Sequence, residues 1–176
     1  VISPRLTIAA PWHEVAGAVL IEPGNAFGTG DHITTRSCLV HIDRLGKAGG
    51  SLLDVGCGSG ILALAAAKLG MSAWGTDIDP DAVKSAQDAA TLNELDVRFD
   101  ASPLDTIPGP FDLVVANLYA EVIAALAPQL RRLAKGHLVF AGILADRAHL
   151  VDAAMAPLAC EYRNIHGDWA SLVFQA

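Results

Sequence analysis

The sequence predicts an α/β protein in which a mostly parallel, seven-stranded sheet is closed by an antiparallel strand at its C-terminal end. Three observations carry this expectation. Short apolar runs rich in branched residues alternate with longer stretches, as in a parallel sheet covered on both faces. Within those longer stretches the apolar residues recur at three- and four-residue intervals, the spacing of a helix with one buried face. Finally, one of the apolar runs leads directly into glycines at every second position and then into an apolar helix.

Taken in order, residues 5–9 and 18–21 read as an opening hairpin. Cys38, Leu39, Ile42 and Leu45 mark the buried face of a first helix, and residues 51–55 form the strand that enters the glycine run. Residues 73–76 are the next strand. Asp79-Pro80 then opens a helix that runs to about Asn93, with Asp79 as its N-cap and the proline where a missing N–H costs nothing. Strands at 97–99, 113–116 and 137–141 follow. Between the last two, Val122, Ile123, Leu126, Leu130 and Leu133 give another helix a sheet-facing side. Residues 158–164 and 171–175 read as a closing antiparallel pair turned around His166-Gly167-Asp168.

The 176 residues suit one domain. Its expected parts are an N-terminal hairpin and covering loop at 1–33 and a sheet core at 34–176. Twelve Lys and Arg against nineteen Asp and Glu give a net charge of -7, and no basic tract occurs, which argues against nucleic acid as a direct partner. Charged residues make up only 18% of the chain and mean hydropathy is +0.40. The longest uncharged apolar runs, 61–67 and 138–145, nevertheless fall far short of the roughly 20 residues of a membrane span. Cys38, Cys57 and Cys160 are odd in number and widely spaced, which fits a reducing compartment. No signal segment precedes them, so the expected location is cytoplasmic. Neither the cysteines nor the histidines show metal-ligand spacing, and no metal is expected.

The richest stretch is Leu52-Leu53-Asp54-Val55-Gly56-Cys57-Gly58-Ser59-Gly60-Ile61-Leu62. Closely spaced glycines let the backbone turn tightly and bring bare N–H groups and a helix start against a ligand. Two ligand classes compete. Gly58, Gly60 and Ala63 satisfy the dinucleotide pattern, with Asp77 following at a suitable distance. Against that reading, Asp54 stands two residues before the first glycine, where a carboxylate suits a cation and repels a diphosphate. Alternate glycines after such an acid are the pattern of S-adenosylmethionine-dependent methyltransferases, whose cofactor carries a sulfonium. Asp77, at the end of the following strand, is placed to accept both ribose hydroxyls; the alternative is a solvated strand-end carboxylate. Asp100, after the third strand, is a candidate acceptor for the adenine amino group, or an ordinary loop carboxylate.

Ahead of this loop lies Glu22-Pro23-Gly24-Asn25-Ala26-Phe27-Gly28-Thr29-Gly30-Asp31-His32-Ile33-Thr34-Thr35. With the lead-in from Pro4 to Trp12, the Asp54 to Gly60 loop, Val115-Ala116-Asn117-Leu118 and Gly142-Ile143-Leu144, it resembles the PrmA family over nearly the whole chain. That family methylates lysine and N-terminal amines of the eleventh protein of the large ribosomal subunit. The resemblance implies a Rossmann-like class I methyltransferase fold and S-adenosylmethionine as cofactor. It implies that Phe27, Gly28, Thr29 and Gly30 cover the cofactor, the alternative being an ordinary flexible turn with a buried Phe27, and that Asp54, Gly56, Cys57, Gly58, Gly60, Asp77, Ile78, Asp100 and Asn117 surround it. Asn117 and Tyr119 are the catalytic candidates. A side-chain carbonyl at Asn117 can hold an amine N–H while the lone pair faces the methyl group, and Tyr119 can wall a cationic amine. Asn117 as the N-cap of the following helix is the alternative.

Departures from the family are Ile33 in place of its usual proline and Tyr119 in place of a small aliphatic residue. The sequence also begins at what resembles the catalytic domain, without the family's N-terminal substrate-recruiting domain, so fold and cofactor carry over more directly than a ribosomal substrate. Trp12, Trp74 and Trp169 read as packing residues. The histidines read as helix caps or solvent-facing groups, His32 among them. An N-methyltransferase of protein amines is the leading expectation. A small-molecule methyltransferase, a non-catalytic S-adenosylmethionine-binding module and, last, a dinucleotide oxidoreductase are the alternatives.

Overall fold

The computed structural model describes residues 1–22 and 31–176. Strands β1 (Ile8–Ala9) and β2 (Val19–Leu20) open the chain, followed by α1 (Ile33–Leu45), β3 (Ser51–Val55), α2 (Ile61–Lys68), β4 (Ser72–Thr76), α3 (Pro80–Leu92) and β5 (Arg98–Asp100). Then come β6 (Phe111–Asn117), α4 (Ala120–Leu133), β7 (Ala134–Leu144), α5 (Ala148–Met155), β8 (Cys160–His166) and β9 (Trp169–Gln175). The main sheet has seven strands in the order β5-β4-β3-β6-β7-β9-β8. Its first five strands are parallel, and β9 runs antiparallel to both β7 and β8.

Chain order explains where a site can form. From β3 the chain moves outward through β4 to β5, then returns to place β6 on the other side of β3. Connections therefore leave the carboxyl ends of β3 and β6 in opposite directions, opening a crevice between them. Alternating side chains build the two cores. Leu52, Leu113, Val115 and Val139 face α1, α2 and α3. Leu53, Val114, Phe140 and Leu172 face α4 and α5. The Asp79 carboxylate accepts the Asp81 amide at 2.9 Å and caps α3 as the sequence predicts.

Four expectations are corrected. The N-terminal segments pair in parallel rather than as a hairpin, with Ile8 opposite Val19 and Ala9 opposite Leu20. The pairing is held from outside, because the Asn93 side-chain amide exchanges two 2.7 Å hydrogen bonds with the Leu20 backbone. Trp12 is 67% exposed and packs into neither core, and Val122 lies on the solvent side of α4. His41 is buried, its ring edge-on to Tyr162 at 4.7 Å; burial, and then the nearby Arg44 charge, lowers its pKa.

β8 forms one edge of the sheet and exposes most of its residues. Two of its charges reach partners on neighbouring elements: Glu161 meets His137 at 3.3 Å and Arg163 meets Asp152 at 2.6 Å. The opposite edge is β5, only three residues long.

Phe99 of β5 makes two glycines necessary. A Cβ on Gly75 of β4 would lie 2.4 Å from its ring, and one on Gly60 would lie 2.8 Å from it. Gly60 also has a left-handed φ of +79° at the start of α2, a conformation that costs glycine little. Gly75→Ala is expected to destabilise the protein by about 1–3 kcal/mol through overpacking against Phe99, measured as a fall in the denaturant midpoint with unchanged slope.

Candidate functional site

The carboxyl ends of β3 and β6 meet at a cavity of about 540 Å³, within the size range of small-molecule sites. Gly56, Cys57, Gly58, Asp77, Asn117 and Tyr119 line it, as do His32, Thr34, Thr35, Ile61, Leu62, Leu118, Gly142 and Trp169. Six of the sequence-derived candidates thus converge there. Phe27, Gly28, Thr29 and Gly30 lie outside the described residues.

The glycine loop works differently from the bare N–H cradle expected from sequence. Gly56 and Cys57 both donate their amides to the Thr76 carbonyl, at 2.8 and 3.1 Å, and Gly60 donates to the Cys57 carbonyl at 2.8 Å. The Gly58 amide is taken by Asp77 Oδ2 at 2.9 Å. These four donors are spent inside the protein. What the loop offers a ligand is a close backbone surface, with the Asp77 carboxylate fixed beside it. Asp77 Oδ1 accepts the Asp79 amide at 3.0 Å, which sets the carboxylate plane and leaves further lone pairs for a ligand.

Asp54 is fully buried and is not part of the cavity lining. Its Oδ2 accepts the Ala63 amide at 3.3 Å, tying the end of β3 to the first turn of α2, while Oδ1 is buried with no hydrogen-bond partner among the described residues. Burial raises its pKa to about 7 against the pull of the Ala63 amide, with Asp77 adding a smaller upward push. Burial likewise holds the Cys57 thiol protonated well above its ordinary range, so a thiolate role for it has no support. Gly60, Ile78 and Asp100 also stand outside the lining. Ile78 is 99% exposed beside Asp77. The Asp100 carboxylate is engaged by Trp74 Nε1 at 3.2 Å, the Ser102 amide at 3.0 Å and Arg98 Nε at 2.6 Å.

Asn117 ends β6 and does not cap α4, whose N-cap position is Tyr119 without a side-chain bond. Its Nδ2 donates to Thr35 Oγ1 at 3.2 Å. Its Oδ1 is buried and has no partner among the described residues. Tyr119 is 66% exposed at the cavity mouth. His32 caps α1, its Nδ1 2.8 Å from Thr34 Oγ1, and its ring stands edge-on to Trp169 at 5.2 Å. Sequence reasoning assigned no role to Thr35, Leu118 or Gly142, and read Trp169, which also lines the cavity, as a packing residue. The signal for the first three was present, since each falls inside a motif of the family resemblance, but only the fold shows that the motifs meet.

A crevice at the strand-order reversal, a side-chain-free loop, an acid at the next strand end and an amide across the gap define a class, the S-adenosylmethionine-dependent methyltransferase fold. The solved structure of ribosomal protein L11 methylase from Lactobacillus delbrueckii subsp. bulgaricus matches with a TM-score of 0.89 at 32% identity, over 99% of this chain and 96% of that one. The family model for ribosomal protein L11 methyltransferase (PrmA) matches residues 1–176, and the chain belongs to that family. Curated relatives named ribosomal protein L11 methyltransferase include those of Thermus thermophilus, 45% identical over 98% of this chain, and Thiobacillus denitrificans, 47% identical over 89%. The chain spans 72% of the first relative's length and 55% of the second's.

The buried Asp54 generates a pH signature. Its folded-state pKa is raised from 3.8 to about 7, so between these values the native state binds more protons than the unfolded chain. Its contribution to stability is therefore full below the lower value and is lost as pH rises toward the upper one. Relative to wild type, Asp54→Asn is expected to lose this downward slope of unfolding free energy across that window, as read from denaturant titrations at stepped pH.

Proposed function

We propose that the protein transfers methyl groups from S-adenosylmethionine to amine nitrogens of a protein, with a ribosomal protein as the leading acceptor. The observation that carries this reading is the buried Asn117 Oδ1, without a hydrogen-bond partner among the described residues, an acceptor across the cavity from a glycine loop with a fixed strand-end carboxylate. Family membership supports the acceptor class, and the names of the relatives supply the ribosomal protein. The amides of Gly56, Cys57, Gly58 and Gly60 are already given to protein acceptors, and the Asp77 carboxylate held beside them repels a pyrophosphate.

The residues fit the cofactor. The backbone of Gly56, Cys57 and Gly58 would lie against it, and the remaining Asp77 lone pairs suit a pair of vicinal hydroxyls. When bound, S-adenosylmethionine supplies a methyl carbon already activated by its sulfonium. The protein's task is then alignment of a neutral amine. Asn117 Oδ1 accepts one N–H of that amine and orients its lone pair, while Tyr119 offers a ring beside the cavity mouth for the cationic product. No strong base is needed, because the amine enters neutral and loses its extra proton after transfer.

Calorimetric titration with S-adenosylhomocysteine and, separately, a nicotinamide dinucleotide tests the cofactor. Binding of the first alone is expected; binding of the dinucleotide alone defeats the proposal. Asp77→Ala is expected to weaken S-adenosylhomocysteine affinity by about 10- to 100-fold, the loss of one or two charge-assisted hydrogen bonds. Asn117→Ala should leave that affinity intact and lower turnover on a ribosomal-protein acceptor; undiminished methyl transfer removes Asn117 from its role.

A further inference from the structure

We infer that the cleft between α1 and the β8–β9 pair is a second binding site, one that takes a small anionic group, a carboxylate or a phosphate. This site goes beyond the proposed methyl transfer and stands or falls apart from it.

The cleft encloses about 160 Å³, too little for a whole cofactor and enough for a group of a few atoms. Arg36, Ser37 and His41 reach it from α1. Tyr162, Asn164 and His166 reach it from alternate positions of β8, which places them on one face of the strand. None of these six lines the larger cavity, whereas Thr34 and Trp169 line both, so the two sites are neighbours.

The lining runs against the charge of the chain, which is -7 overall. Arg36 is cationic, His41 and His166 can each take up a proton, and Ser37, Tyr162 and Asn164 add hydrogen-bond donors. No acid is among the described residues that line the cleft. By contrast, the larger cavity holds Asp77, and a cleft beside α3 holds Glu22, Asp81 and Asp88. The acids of the flanking elements are drawn elsewhere: Asp43 of α1 pairs with Arg5 at 3.1 Å, and Glu161 of β8 with His137 at 3.3 Å. β9 carries none. An entering anion therefore meets donors and cations, with no carboxylate in the lining to repel it.

His41 is the second observation. Its ring is only 3% exposed and stands edge-on to Tyr162, yet its nitrogens form no hydrogen bond among the described residues, and it lines the cleft. A buried polar group of this kind is costly unless something supplies a partner. An anionic oxygen beside it would accept the imidazole N–H in a charge-assisted bond. Positive charge lies close by. The Arg44 guanidinium is 5.7 Å from the centre of the Tyr162 ring, and exposed Arg36 reaches the Val1 carbonyl at 3.4 Å through one nitrogen, with further donors to give.

The test is titration of the S-adenosylhomocysteine complex with inorganic phosphate and, separately, with acetate, against chloride at equal ionic strength, followed by the imidazole NMR signals of His41 and His166. Both anions are expected to shift both signals saturably, with dissociation constants of about 1–10 mM, and chloride is not. Arg36→Glu and Asn164→Asp, at exposed positions, each bring a carboxylate to the cleft and should weaken binding about 10-fold or more. Shifts that chloride reproduces, shifts that never saturate, or undiminished affinity in both variants overturn the inference. Kinetics on a ribosomal-protein acceptor then separate two sources of the same chemistry. A rise in acceptor KM at saturating acetate with kcat unchanged assigns the site to an acidic side chain of the acceptor, and an unchanged KM assigns it to a free small anion. If S-adenosylhomocysteine does not bind, the proposed function fails, and the same titration of the free protein and its two variants still decides the cleft.

Discussion

The pairing of β3 with β6 is the contact on which the site depends. Asp54 lies opposite Val115 and Val55 opposite Ala116, so the next residue on one strand is the first loop glycine and on the other is Asn117. A shift of one residue would turn every side chain of one strand to the other face. In β3 it would take Leu52 out of one core and Leu53 out of the other; in β6 it would turn Asn117 away from the cavity. Because both faces are buried, that slip is costly. The same burial that stabilises the fold therefore sets the separation of the chemical groups. Function and stability share one register.

Around this pairing the loop is held almost wholly by the protein itself. Thr76 receives two of its amides and Asp77 a third, while Asp54 reaches under it to α2. Such a loop is preorganised, and little ordering remains to be done when a ligand arrives. Its cost sits at Asp54, where a carboxyl group is kept away from water with one oxygen lacking a partner among the described residues.

Much of this was legible in the sequence. Strand 51–55, the cap at Asp79 and the antiparallel closure follow from alternation, an Asp-Pro start and a short turn, all local signals. The N-terminal pairing was not legible, because its partners are fixed by Asn93, more than seventy positions away, and a two-residue strand carries no periodicity of its own. Trp12 was misread because its size suggested a core that the chain does not build around it. At the site, the glycines, Asp77 and Asn117 announce themselves by motif. Thr35 gains meaning only when α1 is laid across the end of β6, and Asp54 resembles a ligand group until its burial is known.

The two sides of the sheet end by different means. β5 stops after three residues, too short to template a new strand, while β8 is long and open but carries Glu161 and Arg163, each already paired to its own molecule. An incoming strand would have to break those pairs or bury them. Resistance to fibrillar growth is thus written into the borders of the sheet, well away from the cavity, and the two can diverge independently: the borders guard the molecule against its own copies, while the cavity remains free to change what it accepts.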